Sequence, residues 1–244
     1  MPEATQVRSM FARIARRYDL LNHVLSLGID RGWRRTVLRR AGRLEGKVAV
    51  DVAAGTGDLT FVLEKAGAKT LGVDFTHEML VLAEGKRGTR PCLFVDGDAL
   101  RLPLGDDVAD VSTIAFGLRN LEDRVRGLAE LARIVRPGGQ VLVLEFSMPT
   151  GRILGAGYSF YFRRVLPLIG GWISGDAGAY RYLPETVQEW PEPEILQGEM
   201  ESIGLVDCGF QRLSGGIACL SYGTVPVDTG PVDTGPVDTG PGGH

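Results

Sequence analysis

The sequence predicts an α/β fold, with a mostly parallel sheet of seven strands and a helical cap at the amino-terminal end. Short, nearly continuous apolar runs alternate with amphipathic segments, and a glycine-rich turn follows the first of these runs. Two helical patterns with arginine on one face precede it. Alternating strand and helix units of this kind form parallel sheets that helices cover on both faces. The chain has 244 residues, enough for one such domain with additions.

The first 45 residues are predicted to form the cap. Apolar residues recur at intervals of three and four from 7 to 25, which is typical of an amphipathic helix. Gly28 ends this pattern, and a second helix follows with Trp33 and Val37 on its apolar face. We expect both helices to pack on the main domain.

The main domain is predicted to span residues 46–223. Strands are expected at 48–52, 70–73, 92–95, 108–115 and 141–146, with helices at 59–66, 79–85 and 121–135. Residues 149–191 break the alternation with aromatic residues and arginines, which indicates an insertion after the fifth strand. A helix at 195–203 and strands at 205–213 and 217–222 follow, and the two strands are expected to form a hairpin at the sheet edge.

The segment from 224 to 244 repeats Val-Asp-Thr-Gly-Pro three times. Such a sequence has too few apolar residues to bury a core. We expect a disordered tail without a chemical role.

Charge and cysteine content limit the possible functions. The net charge of −3 does not favour a nucleic-acid binder, but ten arginines lie between residues 8 and 43. This basic region is either a solvated face of the cap or a surface for an anionic membrane. The three cysteines lack the spacing of a zinc site or a disulfide framework, so we expect a cytoplasmic protein without a metal. No apolar run is long enough to span a bilayer.

The glycine-rich turn predicts a nucleoside site. Gly55 and Gly57 follow the first strand and permit a close approach of a ligand to the backbone. A dinucleotide fingerprint needs a third small residue where this chain has Thr60. Acids at Asp51 and Asp58 would also repel a pyrophosphate, whereas the zwitterion S-adenosylmethionine tolerates them. A turn without a ligand is the alternative interpretation.

Two further acids stand where neighbouring strands end. Asp74 follows the second strand and is placed to accept hydrogen bonds from ribose hydroxyls. Asp98 and Ala99 follow the third strand, where the carboxylate suits an adenine amino group and the amide suits a ring nitrogen. Each acid alone is also compatible with an ordinary polar turn.

The fourth strand leads into Phe116-Gly117-Leu118-Arg119-Asn120, at the position that faces the transferable group. Phe116 is expected to line the ligand pocket, and Arg119 and Asn120 to reach a bound acceptor. Alternatively, Asn120 only caps the following helix.

Together these stretches resemble the C-methyltransferases of menaquinone and ubiquinone biosynthesis, over roughly residues 7 to 223. The most specific matches are Phe-Gly-Leu-Arg-Asn at 116–120, Leu-Glu-Phe-Ser at 144–147 and Tyr-Arg-Tyr-Leu at 180–183. The resemblance implies a class I, Rossmann-like methyltransferase fold, S-adenosylmethionine as donor and a polyprenylated hydroquinone as acceptor. It places Thr56, Asp74, Asp98 and Ala99 at the cofactor. Ala115 departs from the serine of many relatives, and Asp98 from their asparagine.

The implied reaction needs a nucleophilic ring carbon, which a phenol of pKa about 10 supplies once it is deprotonated. Arg119 is expected to stabilise the resulting oxyanion, with Tyr18 and Asn120 positioning it. We expect demethylmenaquinol to be converted to menaquinol at the inner face of the membrane, with peripheral attachment. The alternatives are 2-methoxy-6-polyprenyl-1,4-benzoquinol, a small soluble acceptor, or S-adenosylmethionine binding without catalysis. Oligomeric state is left open.

Overall fold

The computed structural model describes residues 12, 28–149, 151, 186–187 and 190–227. Seven strands form one sheet in the order β3-β2-β1-β4-β5-β7-β6. They are β1 (Val48–Val52), β2 (Lys69–Asp74), β3 (Leu93–Asp96), β4 (Ala109–Ala115), β5 (Val135–Phe146), β6 (Val206–Leu213) and β7 (Ala218–Thr224). The strands β1 to β5 pair in parallel, and β7 is antiparallel to both β5 and β6. The mostly parallel sheet and the hairpin at its edge are therefore confirmed.

Helices connect β1 to β2, β2 to β3 and β4 to β5, and helices cover the sheet. They are α1 (Asp30–Ala41), α2 (Asp58–Lys65), α3 (His77–Arg87), α4 (Arg124–Arg133) and α5 (Pro193–Ser202), with a 3-10 turn at Leu118–Asn120. The central strands are apolar because both of their faces are covered: Val50, Val52 and Ile114 are at most 1% exposed. Parallel pairing brings the carboxyl ends of β1, β2, β3 and β4 to the same edge of the sheet.

The helix expected at 121–135 is shorter than the periodicity predicted. It begins at Arg124, because Asp123 is the N-cap and its carboxylate accepts a hydrogen bond of 2.9 Å from the amide of Arg126. Asn120 lies in the 3-10 turn before it, so Asn120 is not the cap.

Strand β5 begins earlier than predicted. The strand was expected at 141–146, but Val135 already pairs with Ala109 of β4. The next partners are Val111 and Gln140, so the four intervening residues form a bulge within β5. A Cβ on Gly139 would stand 2.6 Å from the carbonyl oxygen of Asp110, so only glycine fits there.

Helix α1, the described part of the cap, packs on the sheet. Trp33, Val37 and Ala41 are buried in one cluster with residues of α2, β1, β5 and β7. Two arginines of α1 also make contacts that stabilise the fold. Arg34 is 8% exposed and pairs with Asp30 and Asp58, and the Arg40 guanidinium lies 3.9 Å from the centre of the Tyr222 ring.

Several predicted segments lie outside the described residues: the first cap helix, most of the insertion at 149–191 and most of the tail. At the tail, the sheet continues beyond the expected domain end at 223. Strand β7 reaches Thr224, and Val225 exchanges backbone hydrogen bonds with Gly138 and Gly139.

Among the residues described, no helix is long and apolar enough to cross a bilayer. No group of His, Cys, Asp and Glu within them is arranged to hold a metal ion.

Candidate functional site

A cleft opens at the edge of the sheet where the carboxyl ends of the parallel strands meet. Its volume is about 970 Å³ when the open solvent at its mouth is included. Its walls come from the loops that follow four neighbouring strands: residues 53 and 55 after β1, 74–76 after β2, 97–100 after β3, and 115–117 with 120–122 after β4. The site therefore lies where open α/β sheets bind their ligands.

The glycine loop joins β1 to α2 by a tight turn. Gly55 and Gly57 have φ angles of 56° and 84°, in the left-handed region that glycine enters without steric cost. A Cβ on Gly57 would stand 2.8 Å from Cζ of Phe94, so the position also lacks room for a side chain. The turn leaves Gly55 on the cleft wall.

Asp74 joins the first two loops. One carboxylate oxygen accepts the amide of Gly55 at 2.8 Å, and the other accepts the amide of Thr76 at 2.7 Å. Burial raises the pKa of this carboxyl, and the hydrogen bonds from Thr76 and Gly55 oppose that rise. Asp74 also lines the cleft, so its oxygens are available to hydroxyl donors of a ligand.

The third loop carries Asp98 and Ala99, and both line the cleft. A carboxylate oxygen of Asp98 accepts the amide of Leu100 at 2.8 Å, which fixes the turn. Gly97 precedes it at a position where a Cβ would stand 2.6 Å from a methyl group of Val73. The close approach of the third loop to β2 therefore depends on glycine.

Phe116 forms the fourth wall and contacts other aromatic rings. Its ring centre lies 4.5 Å from that of Phe146 and 6.0 Å from that of Trp33 on α1. The Trp33 indole nitrogen donates to the Ser214 hydroxyl at 2.9 Å. A wall of the cleft is thus supported from behind by the cap helix.

Arg119 and Asn120 differ in their placement. Asn120 lines the cleft, and its amide nitrogen donates to the Phe116 carbonyl at 3.3 Å. Arg119 is not among the lining residues, and its side chain is only 5% exposed. Its Nη1 lies 2.8 Å from a carboxylate oxygen of Glu145, which is itself buried.

The whole domain matches one family model, described as the ubiE/COQ5 methyltransferase family, over residues 2–225. The chain belongs to this family. A demethylmenaquinone methyltransferase of Deinococcus radiodurans is 47% identical over 216 residues, or 87% of this chain and 89% of that protein. One of Thermus thermophilus is 44% identical over 89% of this chain and 100% of its own length. A ubiquinone/menaquinone biosynthesis C-methyltransferase of Citrifermentans bemidjiense is 42% identical, with coverage of 90% and 96%.

Solved structures share the fold. A methyltransferase of Aquifex aeolicus, described as SAM-dependent, aligns with a TM-score of 0.58 at 18% identity, over 79% of this chain and 89% of its own. The [4+2]-cyclase SpnF aligns with a TM-score of 0.66 at 16% identity, over 93% and 98%. Identities this low show the fold alone, and the cyclase illustrates that the fold by itself does not determine the reaction.

Family membership confirms the predicted methyltransferase activity and S-adenosylmethionine as the donor. The cleft fits this ligand on structural grounds. Asp74 presents two acceptor oxygens beside a backbone that glycine leaves open, and Asp98 adds a second carboxylate to the wall. An acidic wall suits the positive sulfonium and amino groups of the donor.

Three of the predicted cofactor residues are not among those lining the cleft. Thr56 and Gly57 belong to the glycine loop, and Thr56 is 3% exposed. Asp51 lies beneath the loop, where its carboxylate accepts hydrogen bonds from the hydroxyls of Thr60 at 2.7 Å and Thr113 at 2.8 Å. Their roles toward the donor stay predictions. Tyr18 lies outside the described residues.

The cleft also has lining residues that sequence reasoning did not select. Phe75 and Thr76 directly follow Asp74, and Met79 comes one helical turn later. The rule that ligands bind past the strand ends, applied to every residue there, would have found the first two. The same rule would have found Ala53, which directly follows β1 and has a φ of 52°.

The pH dependence of stability should report on Asp51. Burial raises its pKa from 3.8 to about 6, and hydrogen bonds from Thr60 and Thr113 only partly oppose this. The folded state thus binds the proton more tightly than the unfolded state, and this carboxyl lowers stability as pH rises from about 4 to about 6. We expect Asp51→Asn to be more stable than the wild type at pH 7.5 by about 1 to 3 kcal/mol.

Urea unfolding across this pH range measures the effect. The advantage of Asp51→Asn should disappear near pH 3, below both pKa values, where the wild-type carboxyl is protonated in the folded and the unfolded state. The threonine hydroxyls can rotate to accept from the amide, so the buried contacts are kept. An advantage that did not change with pH would contradict the shifted pKa.

Asp74→Asn should weaken binding of S-adenosylhomocysteine about 10- to 100-fold, because an amide replaces one acceptor oxygen and removes charge from the hydrogen bonds. Titration calorimetry measures the affinity. Asp96→Asn is the matched control: Asp96 stands opposite Asp74 in the β2–β3 register but is exposed and outside the cleft lining. Equal affinity of the two variants would contradict a role for Asp74 in donor binding.

Proposed function

We propose that the enzyme transfers a methyl group from S-adenosylmethionine to a ring carbon of demethylmenaquinol, giving menaquinol. The observation that carries this proposal is that Phe116, Gly117 and Asn120, from the most family-specific motif of the chain, form one wall of the donor cleft. The names of the Deinococcus and Thermus relatives support the choice of quinol.

Each group of the cleft has a proposed task. Asp74 binds the ribose hydroxyls, and Asp98 with Ala99 binds the adenine edge. When bound, S-adenosylmethionine supplies an electrophilic methyl group. The ring carbon of the acceptor gains this methyl group and loses its proton, and the departing thioether needs no proton. Phe116 and its aromatic neighbours exclude water from this end of the cleft.

The acceptor must be activated as a phenolate, since a neutral phenol with a pKa of about 10 is a weak carbon nucleophile. Asn120 is the proposed contact for the quinol oxygen because it lies in the cleft wall. Arg119 and Tyr18 are the other proposed acceptor-side residues. The Arg119 guanidinium lies behind the Phe116 carbonyl, so its influence on the acceptor would pass through this wall.

A second candidate acceptor is 2-methoxy-6-polyprenyl-1,4-benzoquinol. The name of the Citrifermentans relative covers both the ubiquinone and the menaquinone pathways, which favours this acceptor as a second candidate. Both acceptors are para-hydroquinones with a polyprenyl chain, and they differ in the ring, which is a naphthalene in one and a methoxy-substituted benzene in the other.

An anaerobic assay with methyl-labelled donor tests the proposal. Each acceptor is kept reduced in detergent, and labelled product is followed by chromatography. We expect kcat/KM for demethylmenaquinol to exceed that for the methoxy quinol by about tenfold, or about 1.4 kcal/mol in transition-state binding. Equal or greater activity on a soluble phenol would contradict a quinol function. Donor binding without any methyl transfer would favour a sensor.

Peripheral membrane attachment is also proposed, since a polyprenyl quinol resides in lipid. Helix α1 carries Arg31, Arg35 and Arg39 at intervals of four, so the three lie on one face, and all are exposed. This arginine stripe differs from Arg34 and Arg40, which are engaged within the fold. Exposed cations of this kind attract anionic lipid, at about 1 kcal/mol per charge near the surface.

The variant Arg31→Gln/Arg35→Gln/Arg39→Gln should bind vesicles of anionic phosphatidylglycerol at least about tenfold more weakly than the wild type at low salt. A control removes the same charge elsewhere: Lys47→Gln/Lys65→Gln/Lys69→Gln changes three exposed lysines at the amino-terminal edge of the sheet. Vesicle sedimentation measures both. Equal loss in the two triple variants would indicate net charge alone, and unchanged binding of the arginine variant would contradict the stripe as the attachment site.

A further inference from the structure

The cleft wall after β4 has an unfavourable backbone conformation. Phe116 has a φ of 58°, in the left-handed region that residues with a Cβ rarely adopt. Across the cleft edge, Ala53 has a φ of 52°. Between them the chains approach so closely that a Cβ on Gly117 would stand 2.5 Å from the Cβ of Ala53. Such a conformation persists only where the surrounding structure holds it in place.

A buried ion pair lies directly behind this wall. Arg119 and Glu145 have side chains that are 5% and 2% exposed. Arg119 Nη1 donates both to Glu145 and to the carbonyl oxygen of Phe116, and the Arg119 amide donates to the other oxygen of Glu145 at 3.2 Å. Asn120 Nδ2 donates to the same Phe116 carbonyl. The pair therefore links the end of β5 to the strained residue.

This pair is poorly explained by stability alone. Removing two charges from water is costly, and replacing a buried pair by apolar groups of similar volume is often neutral. Arg119 Nε has no hydrogen-bond partner among the residues that the structure describes, although it is buried. The carboxylate of Glu145 offsets the arginine charge, and Phe146 covers the guanidinium at 5.4 Å. The guanidinium is thus directed at the backbone of the wall and not at the cleft.

We propose that Arg119 and Glu145 are positioning residues: together they hold the Phe116 carbonyl and Asn120 so that the wall is preformed for S-adenosylmethionine and its acceptor. Arg119 acts through Phe116 and does not touch the quinol. This role deepens the proposed function and rests on it for the acceptor, but its effect on the donor site is independent of which acceptor is methylated.

Four variants separate positioning from direct contact and from plain stability. Glu145→Gln keeps the arginine charge but weakens its anchor, and Arg119→Lys keeps the charge without the planar fork. Arg119→Met/Glu145→Met removes both charges with similar volume. The control is Arg124→Met/Glu199→Met, another Arg–Glu pair, which joins α4 to α5 away from the cleft lining.

The readouts are the affinity for S-adenosylhomocysteine by calorimetry, the free energy of unfolding in urea, and kcat and KM with the quinol. We expect Glu145→Gln, Arg119→Lys and the Met/Met variant at 119 and 145 to bind S-adenosylhomocysteine at least about tenfold more weakly, equal to about 1.4 kcal/mol. The Met/Met variant should unfold at a urea concentration close to that of the wild type. The control pair should leave affinity unchanged.

Wild-type affinity in the Met/Met variant would overturn the proposal, because the wall would then form without the pair. Loss of kcat in Arg119→Lys with unchanged donor affinity would overturn it too, in favour of direct contact with the acceptor. If the Arg119→Met/Glu145→Met variant does not fold, the affinities of Glu145→Gln and Arg119→Lys for S-adenosylhomocysteine still test the proposal. Absence of quinol methylation by the wild type would refute the proposed function, while the affinity measurements would still test the positioning role.

Discussion

The carboxylate of Asp74 is the interaction on which the site depends. It accepts the amides of Gly55 and Thr76, so it ties the turn after β1 to the turn after β2. The carbonyl of Asp74 also accepts the amide of Gly97, which brings in the turn after β3. One residue thus joins three loops that are far apart in sequence. Parallel pairing puts these strand ends side by side, and the hydrogen bonds of Asp74 hold the three loops together around the cleft.

The cleft is surrounded by buried charged groups, and these work against stability. Asp51 and Asp74 both have raised pKa values because burial disfavours their ionised forms. Arg119 and Glu145 form a buried pair behind the wall. Such groups cost desolvation free energy that an apolar core would not require. These buried ionisable groups are concentrated at one edge of the sheet. This pattern is expected where residues are selected for ligand binding and not for stability.

The cap helix α1 belongs to the same structural unit as the donor cleft. Trp33 contacts the ring of Phe116, and Arg34 lies 3.2 Å from Asp58, the first residue of α2 after the glycine loop. Lys86 of α3 also pairs with Asp58. The basic character of this region therefore has two origins. Arg34 and Arg40 stabilise packing, whereas the arginine stripe of Arg31, Arg35 and Arg39 is exposed.

The sequence by itself determined the fold class, the strand order along the chain and the donor. Apolar periodicity depends on local burial, and the glycine loop needs glycine for its backbone angles. Both features can therefore be recognised in a single sequence. Asp74, Asp98 and Ala99 line the cleft at the strand ends, where the sequence predicted ligand contacts, and their roles toward the donor stay predictions. Strand β5 and helix α4 were misjudged at their ends, since the bulge and the Asp123 cap depend on neighbouring backbone.

Only the tertiary structure decided which side chains meet. Arg119 and Asn120 are adjacent in sequence, yet Asn120 faces the cleft and Arg119 turns away to Glu145, 26 residues further along. Nothing in either segment indicates the other, because an ion pair between two strand ends depends on the register of β4 and β5. The same holds for Trp33 and Phe116. Local patterns specify elements, whereas contacts between distant elements arise from how the sheet assembles.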